Sequence, residues 1–125
     1  MRQLIEQILE DLSTKDVFLF RIACGECGTA FANRPVRFSK AGTVPVSKNK
    51  EIIYEALYEQ ERQTARQRAV GDATENLNFC PICKRLICNR CFLICDDLDM
   101  CRECAENLGE SGYPVTPEIV EAVAY

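Results

Sequence analysis

The sequence predicts a small α+β fold. Three observations point there: an apolar stripe at helical spacing near the N-terminus, β-branched and aromatic runs beside paired cysteines, and nine cysteines with no histidine among 125 residues. The length suits one compact domain. Its expected parts are an N-terminal helix (1–14), a hairpin with the first cysteine pair (17–38), a helical insertion (50–76), a cysteine-rich segment (77–108) and a tail (109–125).

Each element has a local reason. Leu4, Ile5, Ile8, Leu9 and Leu12 fall at i, i+3, i+4, i+7 spacing, so an amphipathic helix is expected there. Val17 to Ala23 is β-branched and aromatic and runs into the first cysteine pair. Ala30 to Phe38 is expected to return as the second strand of a hairpin, with Pro35 favouring an edge. Residues 39–49, punctuated by Gly42 and Pro45, read as loop.

From Lys50 to about Asn76 there is no proline, and good helix formers dominate. Acidic residues gather early, at Glu51, Glu55, Glu59 and Glu61, and Arg62, Arg66 and Arg68 follow, a polarity that complements the helix dipole. Ile52, Ile53, Ala56 and Leu57 give an apolar face that fades beyond Tyr58. The second half is therefore expected to project into solvent or meet a partner. Cys101 to Leu108 reads as a short helix stopped at Gly109, and Pro117 starts a tail helix over Ile119–Ala124.

Composition removes several function classes. Hydrophobic residues at 47% and charged residues at 27% are those of a globular chain. Without histidine there is no Ser-His-Asp triad, no HExxH site and no Cys₂His₂ finger. Arg2, Glu6, Glu10 and Asp11 break up any signal-peptide core, and no apolar run approaches the roughly 18 residues of a membrane span. A cytoplasmic chain with reduced thiols is expected.

Eight of the cysteines form four CxxC pairs: Cys24/Cys27, Cys80/Cys83, Cys88/Cys91 and Cys101/Cys104. Two intervening residues let both sulfurs face one ion from a tight turn. Eight thiolates suffice for two closed tetrahedral sites, which implies two zinc ions per chain in structural roles. A thioredoxin-like reading would want one reactive pair in a βαβ setting. The Cys24-Gly-Glu-Cys27-Gly28 turn and Cys80-Pro-Ile-Cys83 also resemble the two knuckles of rubredoxin, which would imply iron; Lys84 stands where the second knuckle's glycine belongs.

Pairing the second knuckle with the third is disfavoured, because only Lys84 to Ile87 lie between them. Two groupings survive. One interleaves first with third and second with fourth; the other takes the pairs in sequence.

The order Cys80-x₂-Cys83-x₄-Cys88-x₂-Cys91, with a CxxC before it and another opening a helix, is similar to FYVE-type cross-brace domains. Cys24-Gly-Glu-Cys27-Gly28-Thr29-Ala30-Phe31 resembles their opening motif. That resemblance, over blocks 24–31 and 80–108, implies treble-clef or zinc-ribbon knuckles and the interleaved grouping. It carries over no lipid binding, since Leu77-Asn78-Phe79-Cys80-Pro81 replaces the basic motif that grips a headgroup. Cys80-Pro-Ile-Cys83 also resembles the start of a RING domain, but the long first loop and the histidine ligand are missing. Cys95 is left over; four residues after Cys91, it would share a helical face with it, and a buried apolar thiol is the simplest role.

The formal net charge is −4, and eight thiolates with two divalent ions would add a further four negative charges to reach −8. Global attraction to nucleic acid is then unfavourable. A local exception is the acid-free stretch Gly28 to Lys50, whose Arg34, Arg37 and Lys40 are the candidate anion or nucleic-acid contacts. The expected function is that of a non-catalytic zinc-binding adaptor docking a protein partner. A small nucleic-acid-associated regulator is the alternative, and a thiol- or metal-handling enzyme is disfavoured, because every CxxC pair is committed and no acid–base machinery converges.

Overall fold

The computed structural model describes residues 1–116; the tail helix expected over Ile119–Ala124 lies outside the described residues. The chain gathers into two compact units, one of Arg2–Ile22 and Phe31–Ala73, the other of Met1, Ala23–Ala30 and the chain from Thr74 onward.

The first unit begins with α1 (Arg2–Ile8), which buries Ile5 completely. The apolar stripe is not followed to its end. Residues Glu10–Asp11 form β1 and pair antiparallel with β3 (Phe20–Ala23). Local side-chain chemistry outcompetes the helix: the Asp11 carboxylate accepts from the Ser13 amide at 2.9 Å, and the Ser13 hydroxyl accepts from Leu19 at 3.1 Å. Leu12 is consequently exposed.

The expected return strand over Ala30–Phe38 is also divided. β4 (Ala30–Ala32) lies beside β3, whereas β5 (Val36–Arg37) pairs with β2 (Val17–Phe18). Pro35 has no amide to offer a ladder. Asn33 fills the break, taking the Phe20 amide on its side-chain oxygen and donating to the Arg34 carbonyl at 2.7 Å.

Helix α2 spans Lys48–Asn76, starting two residues earlier than expected. Ser47 caps it: its hydroxyl accepts from Lys50 at 3.2 Å and its carbonyl accepts from Glu51 at 3.0 Å. The burial of α2 reverses the expectation. Ile52 and Ile53 are exposed, at 64% and 51%, while Ala65, Ala69, Val70 and Ala73 are buried. Alanines four apart carry little hydropathy but permit close approach. Ala65 and Ala69 pack with Phe18, Phe20 and Phe38 to form the core. Tyr58 closes its edge, its ring 5.0 Å from Phe18 and its hydroxyl donating to the Thr14 carbonyl at 2.8 Å. Arg62 pairs with Asp11 at 2.7 Å and also with Glu59.

The second unit contains β6 (Leu77–Phe79) and β7 (Leu86–Cys88) as an antiparallel hairpin, with Leu77 opposite Cys88 and Phe79 opposite Leu86. A three-stranded sheet follows, in the order β10 (Gly112–Pro114), β8 (Phe92–Cys95), β9 (Met100–Cys101). Helix α3 (Arg102–Leu108) has Cys101 as N-cap and Gly109, at φ 69°, as a left-handed C-cap. Leu86, Ile87, Met100 and Ala105 are buried in this unit. Gly112 is dictated by space, since a Cβ there would lie 2.4 Å from the Ile94 carbonyl oxygen.

Candidate metal centre

The second unit brings the eight paired cysteines into two groups: Cys24, Cys27, Cys88 and Cys91, and Cys80, Cys83, Cys101 and Cys104. Within each group the sulfurs lie within 4.8 Å of one another. First and third pairs have joined, as have second and fourth, which is the interleaved grouping. Each group could hold a metal ion. Cys95 belongs to neither group among the described residues.

Both groups are built by the same local rules. In the first knuckle the Gly28 amide donates to the Cys24 carbonyl at 3.0 Å and Cys24 donates to the Thr29 carbonyl at 2.9 Å. In the second, Lys84 donates to the Cys80 carbonyl at 2.8 Å and Cys80 to the Arg85 carbonyl at 3.0 Å. The incoming pair then anchors itself on the knuckle's first sulfur. The Cys88 amide donates to Cys24 Sγ at 3.3 Å, and the Cys101 amide to Cys80 Sγ at 3.4 Å. On the helical side, Cys104 donates from the first turn of α3 to Cys101 Sγ at 3.4 Å.

The shells around the two groups differ. Around Cys83 and Cys101 sits Arg85, whose guanidinium donates to Cys83 Sγ at 3.2 Å and Cys101 Sγ at 3.8 Å. Arg85 also donates to the Gly25 carbonyl in the other group's knuckle and pairs with Glu103 at 3.2 Å. Gly25 donates in turn to the Leu86 carbonyl at 2.8 Å, so the two groups share one hydrogen-bonded frame. Around the exposed Cys27 there is a hydroxyl instead. Thr29 Oγ1 lies 3.2 Å from Cys27 Sγ and accepts from Arg90 at 3.3 Å.

The electrostatics suit a cation. The Thr29 hydroxyl and amide hold the Cys27 thiol down at about 6. Burial pushes Cys80 up, but amides of Cys83, Cys101 and Ile82 outweigh it and leave that thiol at about 6 as well. Their neighbours move the other way. Burial, and then the adjoining sulfurs, push Cys91 and Cys104 well above the ordinary thiol range. Cys88 and Cys101 are raised for the same first reason, burial. Four sulfurs this close cannot all ionise unless a positive ion sits among them.

The other sequence-predicted residues are not among the grouped cysteines. Arg34, Arg37 and Lys40 are exposed in the first unit. Arg37 donates to the Ala41 carbonyl at 3.2 Å, and the Lys40 ammonium lies 5.8 Å from the Tyr54 ring centroid. Cys95 is on strand β8 and not on a helical turn, so it does not share a face with Cys91 in the way expected. It is half-buried, its amide donates to Asp99 at 3.0 Å, and burial with the nearby Asp99 and Glu110 charges raises its thiol. Sequence reasoning missed Arg85; its position two residues after Cys83, completing the knuckle's hydrogen-bond pattern, was the available signal.

No protein-family model, no curated protein and no solved structure matches the chain. No helix among the described residues is long and apolar enough to cross a membrane.

Proposed function

We propose that this chain is a non-catalytic zinc protein that acts as an adaptor for a protein partner. The observation that carries the reading is the pair of closed four-sulfur groups. Zinc–thiolate bonds of about 2.3 Å in a tetrahedron place sulfurs about 3.8 Å apart. Cys27 and Cys88 are 3.8 Å apart, Cys83 and Cys101 3.8 Å, and Cys80 and Cys104 3.9 Å. Four protein sulfurs saturate the ion and leave no position for a reacting water, so the metal has a structural role. A reducing, cytoplasmic setting would keep such thiols available to metal. The knuckle, the β8–β9 pair and Cys101/Cys104 at the start of α3 resemble a treble clef, and the interleaved grouping supports a cross-brace.

Function then lies on the surface. In the first unit Val44, Val46, Ile52 and Ile53 are all more than half exposed, an apolar outlay that suits protein contact better than nucleic acid. The adaptor reading is tested by native mass spectrometry and by in-cell crosslinking. Two zinc ions per chain, and protein crosslinks lost on replacing Ile52 and Ile53 by Asp, are expected. One ion or none would remove the structural basis. Retention of nucleic acid at low salt, abolished by reversing Arg34, Arg37 and Lys40, would replace the adaptor with the nucleic-acid reading.

A further inference from the structure

The first unit contains a cavity of about 590 Å³ between the loop 40–45 and the first turns of α2. That size is ordinary for a small-molecule or side-chain pocket, and none of the metal-centre chemistry uses it. Three aromatic residues line it, Phe38, Tyr54 and Tyr58, together with the aliphatic Ala41, Val44 and Pro45. The Phe38 and Tyr58 rings stand nearly perpendicular, 80° apart with centroids at 5.3 Å, so they make a corner. Tyr54 lies one helical turn before Tyr58 and adds a third ring.

Charge selects the ligand. Asp16, Glu51 and Glu55 line the cavity, and no ion pair among the described residues engages their carboxylates. Lys15 and Lys40 line it too, but Lys40 does not act as an anion trap. Its ammonium lies 5.8 Å from the Tyr54 centroid, within the range of a cation–π contact. An alkylammonium group of the chain itself thus already lies over a ring that lines the cavity. Electron-rich ring faces with carboxylates nearby are the surroundings that stabilise such a cation as it leaves water.

We propose that this cavity binds an alkylammonium ligand, a methylated or quaternary amine, and that Lys40 is an internal placeholder which the ligand displaces from Tyr54. The reading has an unusual corollary: removing a lining lysine strengthens binding.

The test uses the full metal-loaded chain and the tyrosine-ring NMR signals as readout. Choline is titrated against 3,3-dimethyl-1-butanol, its neutral isostere. Choline is expected to bind at least about fivefold more tightly, the size of a partly desolvated cation–π preference. Lys40→Met should tighten choline several-fold, Tyr54→Phe should retain binding, and Tyr54→Leu should erase the preference over the isostere. Lys40 is exposed, so its replacement does not threaten folding. A trimethyllysine peptide distinguishes the source: tighter binding than choline marks a protein side chain, weaker binding a free amine, and both support an alkylammonium site. Equal binding of the isostere, no binding by about 10 mM, or weaker choline binding by Lys40→Met would overturn the proposal. So would displacement of choline by acetate, which would assign the lysines to an anion.

Discussion

Gly28 and Lys84 close their respective knuckles in the same left-handed conformation, at φ 74° and 65°. Lys84 is the one non-glycine residue at positive φ among the described residues. A side chain there costs about 1 kcal/mol, partly offset by the Lys84 ammonium, 5.8 Å from the Phe79 ring centroid. Lys84→Gly should therefore stabilise the metal-loaded protein by about 0.5 kcal/mol in urea unfolding. Gly28→Ala should destabilise by about 1 kcal/mol, through backbone strain alone, because a Cβ there meets nothing within 4 Å. Equal and same-signed effects would mean that the two turns are not equivalent.

Ligand cysteines and the spare cysteine should separate sharply. A structural zinc site supplies roughly 10–16 kcal/mol as folding energy, as much as the whole stability of a typical small domain. Cys83→Ser or Cys104→Ser should abolish folding of the cysteine-bearing unit and lower the zinc stoichiometry. Cys95→Ser should cost less than about 1 kcal/mol and leave two ions bound. A Cys104→Ser protein with unchanged circular dichroism would disprove the structural role of the metal.

Arg85 is expected to tune one site more than the other. Its bonds to Cys83 and Cys101 spread the thiolate charge, and its bond to Gly25 ties that site to the first knuckle. Arg85→Leu should speed metal loss to a chelator by about 10- to 100-fold at the Cys80/Cys83/Cys101/Cys104 group. Cobalt absorption read on single-site variants would assign the change. A loss confined to the other group would contradict the geometry.

Stability should fall on acidification once metal is bound. In the loaded chain all four sulfurs are thiolates, so protons compete with metal and stability falls on acidification. Calorimetry in buffers of different ionisation enthalpy should register proton release on loading; no release would mean that the groups are already ionised.

The cysteine groups were legible because chemistry fixes their spacing. Two residues between sulfurs and eight sulfurs in all leave few arrangements, and only the choice between interleaved and sequential grouping needed three dimensions. The first unit was less readable. Leu12 extends a helical pattern, but the Asp11 and Ser13 side chains take the backbone elsewhere. Along α2 hydropathy marked Ile52 and Ile53, whereas the buried side belongs to Ala65, Ala69 and Ala73, whose value is in how little room they take. Periodicity weighted by hydrophobicity cannot see a contact made by small side chains.

The interleaved grouping also constrains how such a gene could be cut or shuffled. A break anywhere between Cys27 and Cys88 parts the ligands of the first group, and one between Cys83 and Cys101 parts those of the second. The overlap, from Cys83 to Cys88, would sever both at once. Neither site is a module that recombination could donate whole, so the stretch from Cys24 to Cys104 is inherited together or not at all. Within it, the stretch from Ala30 to Phe79 holds no cysteine, so its length can change without parting either set of sulfurs.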